Sequence, residues 1–91
     1  MGKRRERLQI IYDILKVIMD RNGRIKPTHI LYKANLSPKT LKESLTELID
    51  KRFIIELQES SGKKYSLTEK GREFLEKYRT ITEFTDSFGL T

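Results

Sequence analysis

The chain has 91 residues, 36% of them hydrophobic, enough for one modest core but not for two independent ones, so a single domain is expected. It holds 0 cysteines and 1 histidine, which excludes disulfides, zinc-thiolate sites, thiol catalysis and any metal centre built on paired histidines. A non-enzymatic protein with no cofactor and no metal is therefore expected. Nineteen Lys and Arg against thirteen Asp and Glu leave a net charge of +6. Residues 1–42 carry eleven basic and three acidic groups, whereas residues 43–91 carry eight and ten, so the positive field belongs to the first half and favours a polyanionic partner.

The longest apolar runs, Ile10-Ile11-Tyr12 and Val17-Ile18-Met19, are far short of the ~20 residues that cross a bilayer. The opening Met1-Gly2-Lys3-Arg4-Arg5-Glu6 has no apolar secretory core, and Glu6 stands where a myristoylation signal wants Ser or Thr. A cytoplasmic location without membrane association is expected. No internal repeat or low-complexity linker interrupts the chain.

From about Arg5 to Asp20, Leu8, Ile11, Tyr12, Leu15, Ile18 and Met19 follow the spacing of an amphipathic helix. Ile10, Ile14 and Val17 widen its apolar arc to roughly 220°, more than one core face uses. Asn22-Gly23 supplies a left-handed cap, and Arg24-Ile25-Lys26 leaves room for a short strand. Pro27 opens a second short helix with Ile30, Leu31 and Ala34 inward, and Asn35 turns the chain. Ser37-Pro38, a hydroxyl cap followed by a first-turn proline, opens a third helix to about Asp50, with Leu41, Leu45, Leu48 and Ile49 at helical spacing. Phe53, Ile55 and Leu57 then alternate with Ile54, Glu56 and Gln58, and Tyr65 and Leu67 repeat period two beyond Ser60-Ser61-Gly62, which predicts a β-hairpin. Thr68 caps a last helix, about residues 69–88, bearing Phe74, Leu75, Tyr78, Ile81, Phe84 and Phe88; Gly71 in its first turn weakens it by ~1 kcal/mol relative to alanine.

The order is helix, short strand, helix, helix, hairpin, helix: a mainly helical fold with a small β-hairpin. Two helices joined by the tight Ala34-Asn35-Leu36 turn are the sequence form of a helix-turn-helix, and the hairpin after them is a wing. Residues 6–80 resemble the archaeal winged helix-turn-helix family of predicted transcriptional regulators, which includes a small dimeric chromatin protein. The resemblance rests on Ile10-Ile11-Tyr12-Asp13-Ile14-Leu15, on Leu31-Tyr32-Lys33-Ala34-Asn35-Leu36-Ser37 and on Tyr65-Ser66-Leu67-Thr68-Glu69-Lys70-Gly71. It implies double-stranded DNA as partner, a nucleoid-associated location and a role in transcription. The sequence departs from the family at Lys51-Arg52-Phe53, where glycine usually follows the recognition helix. Its last helix is also shorter than the chromatin protein's arm, which favours a local regulator over a bridging architectural protein.

Projection of the third helix places Lys39, Thr40, Glu43, Thr46, Glu47 and Asp50 outward with Lys42 and Ser44 flanking. Ser37, Lys39, Thr40, Lys42 and Ser44 suit phosphates or base edges, and Glu43 can accept from cytosine N4. Glu47 and Asp50 repel phosphate, so only the first half of the helix is expected in a major groove. Lys63 and Lys64 at the hairpin tip suit phosphates or a minor groove, Lys26, Thr28 and Lys33 flank the second helix, and Arg4 and Arg5 belong to a basic arm. Tyr12 and Tyr32 read as packing residues, and His29 as a surface or half-buried residue. Ile10, Ile14 and Val17 together with Tyr78, Ile81, Phe84 and Phe88 form a surplus apolar patch that predicts a homodimer, unless the last helix folds back on the first and consumes it. A protein-interaction module is the alternative function, since Glu43, Glu47 and Asp50 suit a protein partner better than DNA.

Overall fold

A computed structural model describes residues 6–21 and 24–90. The elements are α1 (Arg7–Asp20), α2 (Pro27–Lys33), α3 (Pro38–Asp50), β1 (Ile54–Glu59), β2 (Gly62–Leu67) and α4 (Glu69–Ser87). This is a winged-helix arrangement with one two-stranded antiparallel sheet. The expected strand at Arg24–Lys26 is reduced to a single bridge, in which Ile25 and Tyr65 exchange backbone hydrogen bonds of 3.2 and 2.9 Å. Pro27 begins α2 two residues later, so the segment has length for one pairing and no more. The expected cap at Asn22-Gly23 lies outside the described residues.

Ile14, Leu15 and Ile18 of α1, Ile30 of α2, Leu48 of α3 and Ile54 of β1 are fully buried and form the centre of the core. Around them pack Ile11, Ile25, Ala34, Leu41, Leu45, Tyr65, Leu67 and Leu75. Period two in β1 leaves open which set faces inward. Pairing of Ile54 with Leu67 and of Glu56 with Tyr65 turns Ile54 to the core, and Ile55 is left 47% exposed on the outer face of the wing.

Three helices end in the same Schellman geometry, with the amides two residues past each end bonded back to carbonyls of the last turn. After α2, Leu36 donates to Leu31 O and Asn35 to Tyr32 O; after α3, Phe53 donates to Leu48 O and Arg52 to Ile49 O; after α4, Leu90 donates to Thr85 O and Gly89 to Asp86 O. The left-handed residues are Asn35 (φ 54°), Arg52 (φ 65°) and Gly89 (φ 70°). The turn after α3 thus keeps the geometry that glycine favours while carrying arginine, at a cost of ~1 kcal/mol.

The next turn of chain locks to this one. The Thr68 amide donates to Phe53 O at 3.1 Å, and its hydroxyl lies 2.7 Å from Arg52 O and 3.0 Å from Phe53 O while accepting from the Gly71 amide at 3.1 Å. Lys70 Nζ donates to Lys51 O at 2.9 Å and lies 4.7 Å from the centre of the Phe53 ring. Gly71 is buried against this junction. A methyl group there would penetrate the Phe53 carbonyl oxygen and crowd Leu67 Cδ2 at 3.2 Å. Helix propensity, which counts Gly71 as a loss, is overridden by close approach of the backbone.

Helix α4 returns antiparallel along α1. Tyr78 stacks on Tyr12 at 4.7 Å and on Phe74 at 5.8 Å, and its hydroxyl donates to Gln9 Oε1 at 3.1 Å. Burial, with the Asp13 and Glu6 carboxylates next in weight, holds the Tyr78 phenol above the usual tyrosine range. Such a phenol favours the fold below pH ~10 and loses that contribution as the pH rises toward its own, higher pKa. The folding back corrects the expected apolar patch. Ile14 is wholly core, Ile10 and Val17 are half-buried against it, and Tyr78 is occupied by stacking, so the α1 side of the patch is consumed within the protomer. Ile81, Phe84 and Phe88 stay 60%, 60% and 65% exposed.

Arg52→Gly is expected to raise unfolding stability by ~1 kcal/mol, and Gly71→Ala to lower it by ~2 kcal/mol or more, both read from urea denaturation midpoints. Equal, small effects at the two positions would refute the junction geometry.

Candidate nucleic-acid interface

The site is built on the opening turns of α2 and α3. Ser37 has extended backbone (φ −74°, ψ 155°), and its Oγ accepts from the Thr40 amide at 3.2 Å while its hydroxyl donates to Thr40 Oγ1 at 2.9 Å. Pro38 follows at the first helical position, where its missing amide hydrogen costs nothing. Lys26 precedes Pro27 at the start of α2 in the same way. The prolines carry no amide hydrogen and the Thr40, Leu41, His29 and Ile30 amides are taken up by the caps, so each opening contributes mainly the positive end of its helix dipole.

A shallow apolar groove runs between these openings, lined by Pro27, Thr28, Leu31, Pro38, Leu41, Lys42, Leu45 and Tyr65. It brings Thr28 and Lys42 together, with Lys26, Ser37 and Lys39 beside the two prolines. Tyr65 is where the wing joins it. Its phenol is raised above the usual range by burial, and further by Glu56 against an opposing effect of Lys63, so it remains a neutral donor. Lys39, Lys42 and Glu43 are exposed on α3, whereas Thr40 and Ser44 are half-buried. Lys33 is placed elsewhere: it is exposed, but borders a depression with Val17, Asp20 and Arg21 at the end of α1. Arg4 and Arg5 lie outside the described residues.

Ion pairing sorts the cations. Arg7 and Lys51 both pair with Glu47, Lys16 with Asp20, Lys77 with Glu73 and Arg79 with Glu83. On the wing, Lys63 Nζ lies 3.5 Å from Glu56, Lys64 Nζ 3.2 Å from Glu59, and Arg24 3.4 Å from the same Glu59. Lys26, Lys33, Lys39 and Lys42 have no carboxylate partner among the described residues, and neither do Arg21, Arg52, Lys70 and Arg72. Lys26, Lys39 and Lys42 are the three of these that gather at the groove. Glu47, expected as a free acid on the reading face, is instead neutralised by Arg7 and Lys51 and clasps α3 to the start of α1.

Tyr32 is a residue that sequence reasoning misplaced. It is 77% exposed, one helical turn beyond Thr28 on the same side of α2, where its ring and hydroxyl face solvent at the groove's flank. Its i, i+4 relation to exposed Thr28, rather than to buried Ile30, was the available signal. His29 is exposed, with Nε2 3.4 Å from an Arg21 guanidinium nitrogen. Among the described residues no group of His, Asp and Glu is arranged to hold a metal ion, and no helix is long and apolar enough to cross a membrane.

Helix-turn-helix and wing define the chain as a winged-helix protein, and residues 4–86 match the winged helix-turn-helix family. The chain belongs to that family. It is 37% identical over 78 residues to MJ0290, an uncharacterized protein of the archaeon Methanocaldococcus jannaschii, an overlap covering 86% of this chain and 34% of that protein. The chain thus spans about a third of this relative's length. Among solved structures it is similar to Sso10a-2, a DNA-binding protein from Sulfolobus solfataricus (TM-score 0.76, 24% identity, 93% of this chain and 90% of that one). It is likewise similar to F93 from STIV, a winged-helix DNA-binding protein (TM-score 0.78, 24% identity, 88% and 92%). TubR from Bacillus thuringiensis serovar israelensis, solved bound to 24 bp of tubC, matches with a TM-score of 0.69 at 21% identity over 79% of this chain and 81% of that one. The chain shares the winged-helix fold of these structures.

Ser37→Ala, which removes the cap that positions the first turn of α3, is expected to lower unfolding stability by ~1 kcal/mol, measured by thermal or urea denaturation. An unchanged midpoint would show that the cap does not hold this turn.

Proposed function

We propose that the chain is a double-stranded DNA-binding transcriptional regulator that lays the first half of α3 in a major groove. The observation that carries this reading is the set of unpaired lysines, Lys26, Lys39 and Lys42, gathered around the helix openings while cations elsewhere on the described surface mostly hold carboxylates. In the docked state these lysines bind phosphates, and Thr28 and Tyr32 add hydroxyl donors from α2. Ser44 and Glu43 are the side chains nearest to base edges, so direct readout is modest. Lys33 and Arg4 and Arg5 extend the phosphate contacts outward. The protein acts without catalysis, cofactor or metal, in the cytoplasm on the nucleoid. Engagement of Glu47 by Arg7 and Lys51 removes one of the acids that would have favoured a protein partner on the same face.

The functional unit in this reading is a homodimer. Beyond Tyr78, α4 runs past the start of α1, and Ile81, Phe84 and Phe88 fall on one side of its last turns. Phe84 and Phe88 pair with each other at 5.0 Å and Leu90 follows, 71% exposed. A second copy laid against this arm covers the surface and presents two α3 helices to half-sites about one DNA turn apart, or a multiple of that.

With about five phosphates neutralised per protomer, the log-log dependence of affinity on salt is expected to have a slope of roughly −4 to −5 per protomer, and Lys39→Glu to weaken binding at low salt. Gel shift or anisotropy over a salt series checks this; a flat response refutes it. Sedimentation equilibrium is expected to give a dimer that Phe84→Asp with Phe88→Asp converts to a folded monomer. A monomeric parent chain refutes the dimer.

A further inference from the structure

The wing differs electrically from the helix openings. All three of its cations, Arg24, Lys63 and Lys64, are held by two carboxylates of the same strand, Glu56 and Glu59, at 3.2 to 3.5 Å. Successive strand residues point to opposite faces, so one pair lies on each side of the hairpin: Lys63 with Glu56, and Lys64 with Glu59. Arg24 reaches Glu59 because the Ile25–Tyr65 bridge fixes the segment before α2 beside β2. The wing therefore presents a net charge of about +1 where its cations alone would present +3.

We infer that Glu56 and Glu59 are built-in competitors of the DNA backbone, setting how strongly the wing engages; this rests on the DNA-binding reading above. Exposed ion pairs are weak, so a phosphate can displace either carboxylate from its lysine. The displaced carboxylate cannot leave. It remains on the adjacent strand, well inside the ~8 Å screening length at physiological salt, and repels the phosphate that replaced it. Each exchange also releases fewer salt ions than contact by a free lysine, because the counter-ion of the lysine was part of the protein. The consequence is a division of labour: the lysines at the α2 and α3 openings supply adhesion, while the wing adds little unless its glutamates are removed.

The test compares the intact chain with Glu56→Gln plus Glu59→Gln, and with Glu73→Gln plus Glu83→Gln, which changes net charge equally but releases the α4 cations Lys77 and Arg79. Affinity for a duplex is measured by fluorescence anisotropy across a salt series, with circular dichroism confirming the fold. The wing variant is expected to bind about tenfold more tightly near physiological salt, with a salt slope steeper by about 1 to 2, and the α4 variant to stay close to the parent. A parent that binds while the wing variant matches it in affinity and slope overturns this inference alone. Equal gains in both variants also overturn it, since net charge then suffices. A parent that does not bind duplex DNA overturns the underlying reading and this inference with it. Should the double wing variant lose its fold, Glu56→Gln alone, whose side chain is 35% exposed, serves with an expected gain of about threefold.

Discussion

Everything that matters for the site's geometry passes through the junction between α3 and β1. The chain leaves α3 and enters β1 with only Lys51, Arg52 and Phe53 to make the turn. Schellman closure demands a left-handed residue, and the carbonyls it exposes would be orphaned if nothing else approached. Thr68 and Lys70 supply the missing donors from the start of α4, and Gly71 lets the helix come near enough for them to do so. Wing, recognition helix and α4 are therefore fixed by one set of hydrogen bonds. The orientation of the wing is a consequence of where α4 begins.

The second organising feature is the distribution of paired and unpaired cations. A net charge of +6 says that the molecule as a whole attracts polyanions, but not where. Cross-strand glutamates pair with the wing lysines, i, i+4 acids pair with Lys16, Lys77 and Arg79, and Glu47 pairs with Arg7 and Lys51. Of the cations left without a carboxylate, Lys26, Lys39 and Lys42 sit at the helix openings, where the helix dipoles add to the same field, while Arg21, Lys33, Arg52, Lys70 and Arg72 lie elsewhere. Coincidence of unpaired lysines with two helix openings at that place is more informative than the sign of the total.

Much of the architecture could be read from local chemistry alone. Ser37-Pro38 and Thr68 mark the starts of α3 and α4 because side-chain caps act within three residues, and the bounds of α3 follow directly. Features decided by distant partners were not legible. Ile54 and Ile55 are both β-branched and apolar, and only the register with Leu67 says which is inside. Gly71 reads as a defect until Phe53, eighteen positions earlier in the chain, is seen against it. Tyr32 looks like a core aromatic in a seven-residue helix whose inward side Ile30 and Ala34 already fill. Ile14 belongs to an apolar arc too wide to assign, and the return of α4 selects its inward part. In the candidate site, residue types were readable from spacing, but their pairing was not: that Glu47 binds Arg7, or that Glu59 holds two cations, depends on tertiary placement.

The uneven use of apolar surface along α4 bears on how so small a domain is stabilised. Its first half is occupied: Leu75 is core, and Phe74 and Tyr78 complete an aromatic ladder with Phe53 and Tyr12. Its second half has no α1 left to lie against, yet carries Ile81, Phe84 and Phe88 on one side and ends in a fully formed cap at Gly89 with Leu90 beyond. An isolated helical extension of this kind gains little from propensity, and burial of one face is what ordinarily keeps such a segment helical. Caps satisfy polar groups but bury no apolar area. A second copy laid on this side, as in the proposed dimer, would supply that burial, since among the described residues the α1 face is already covered by the first half of α4. The same folding back that closes the core around Ile14 leaves Ile81, Phe84 and Phe88 exposed at the end of α4.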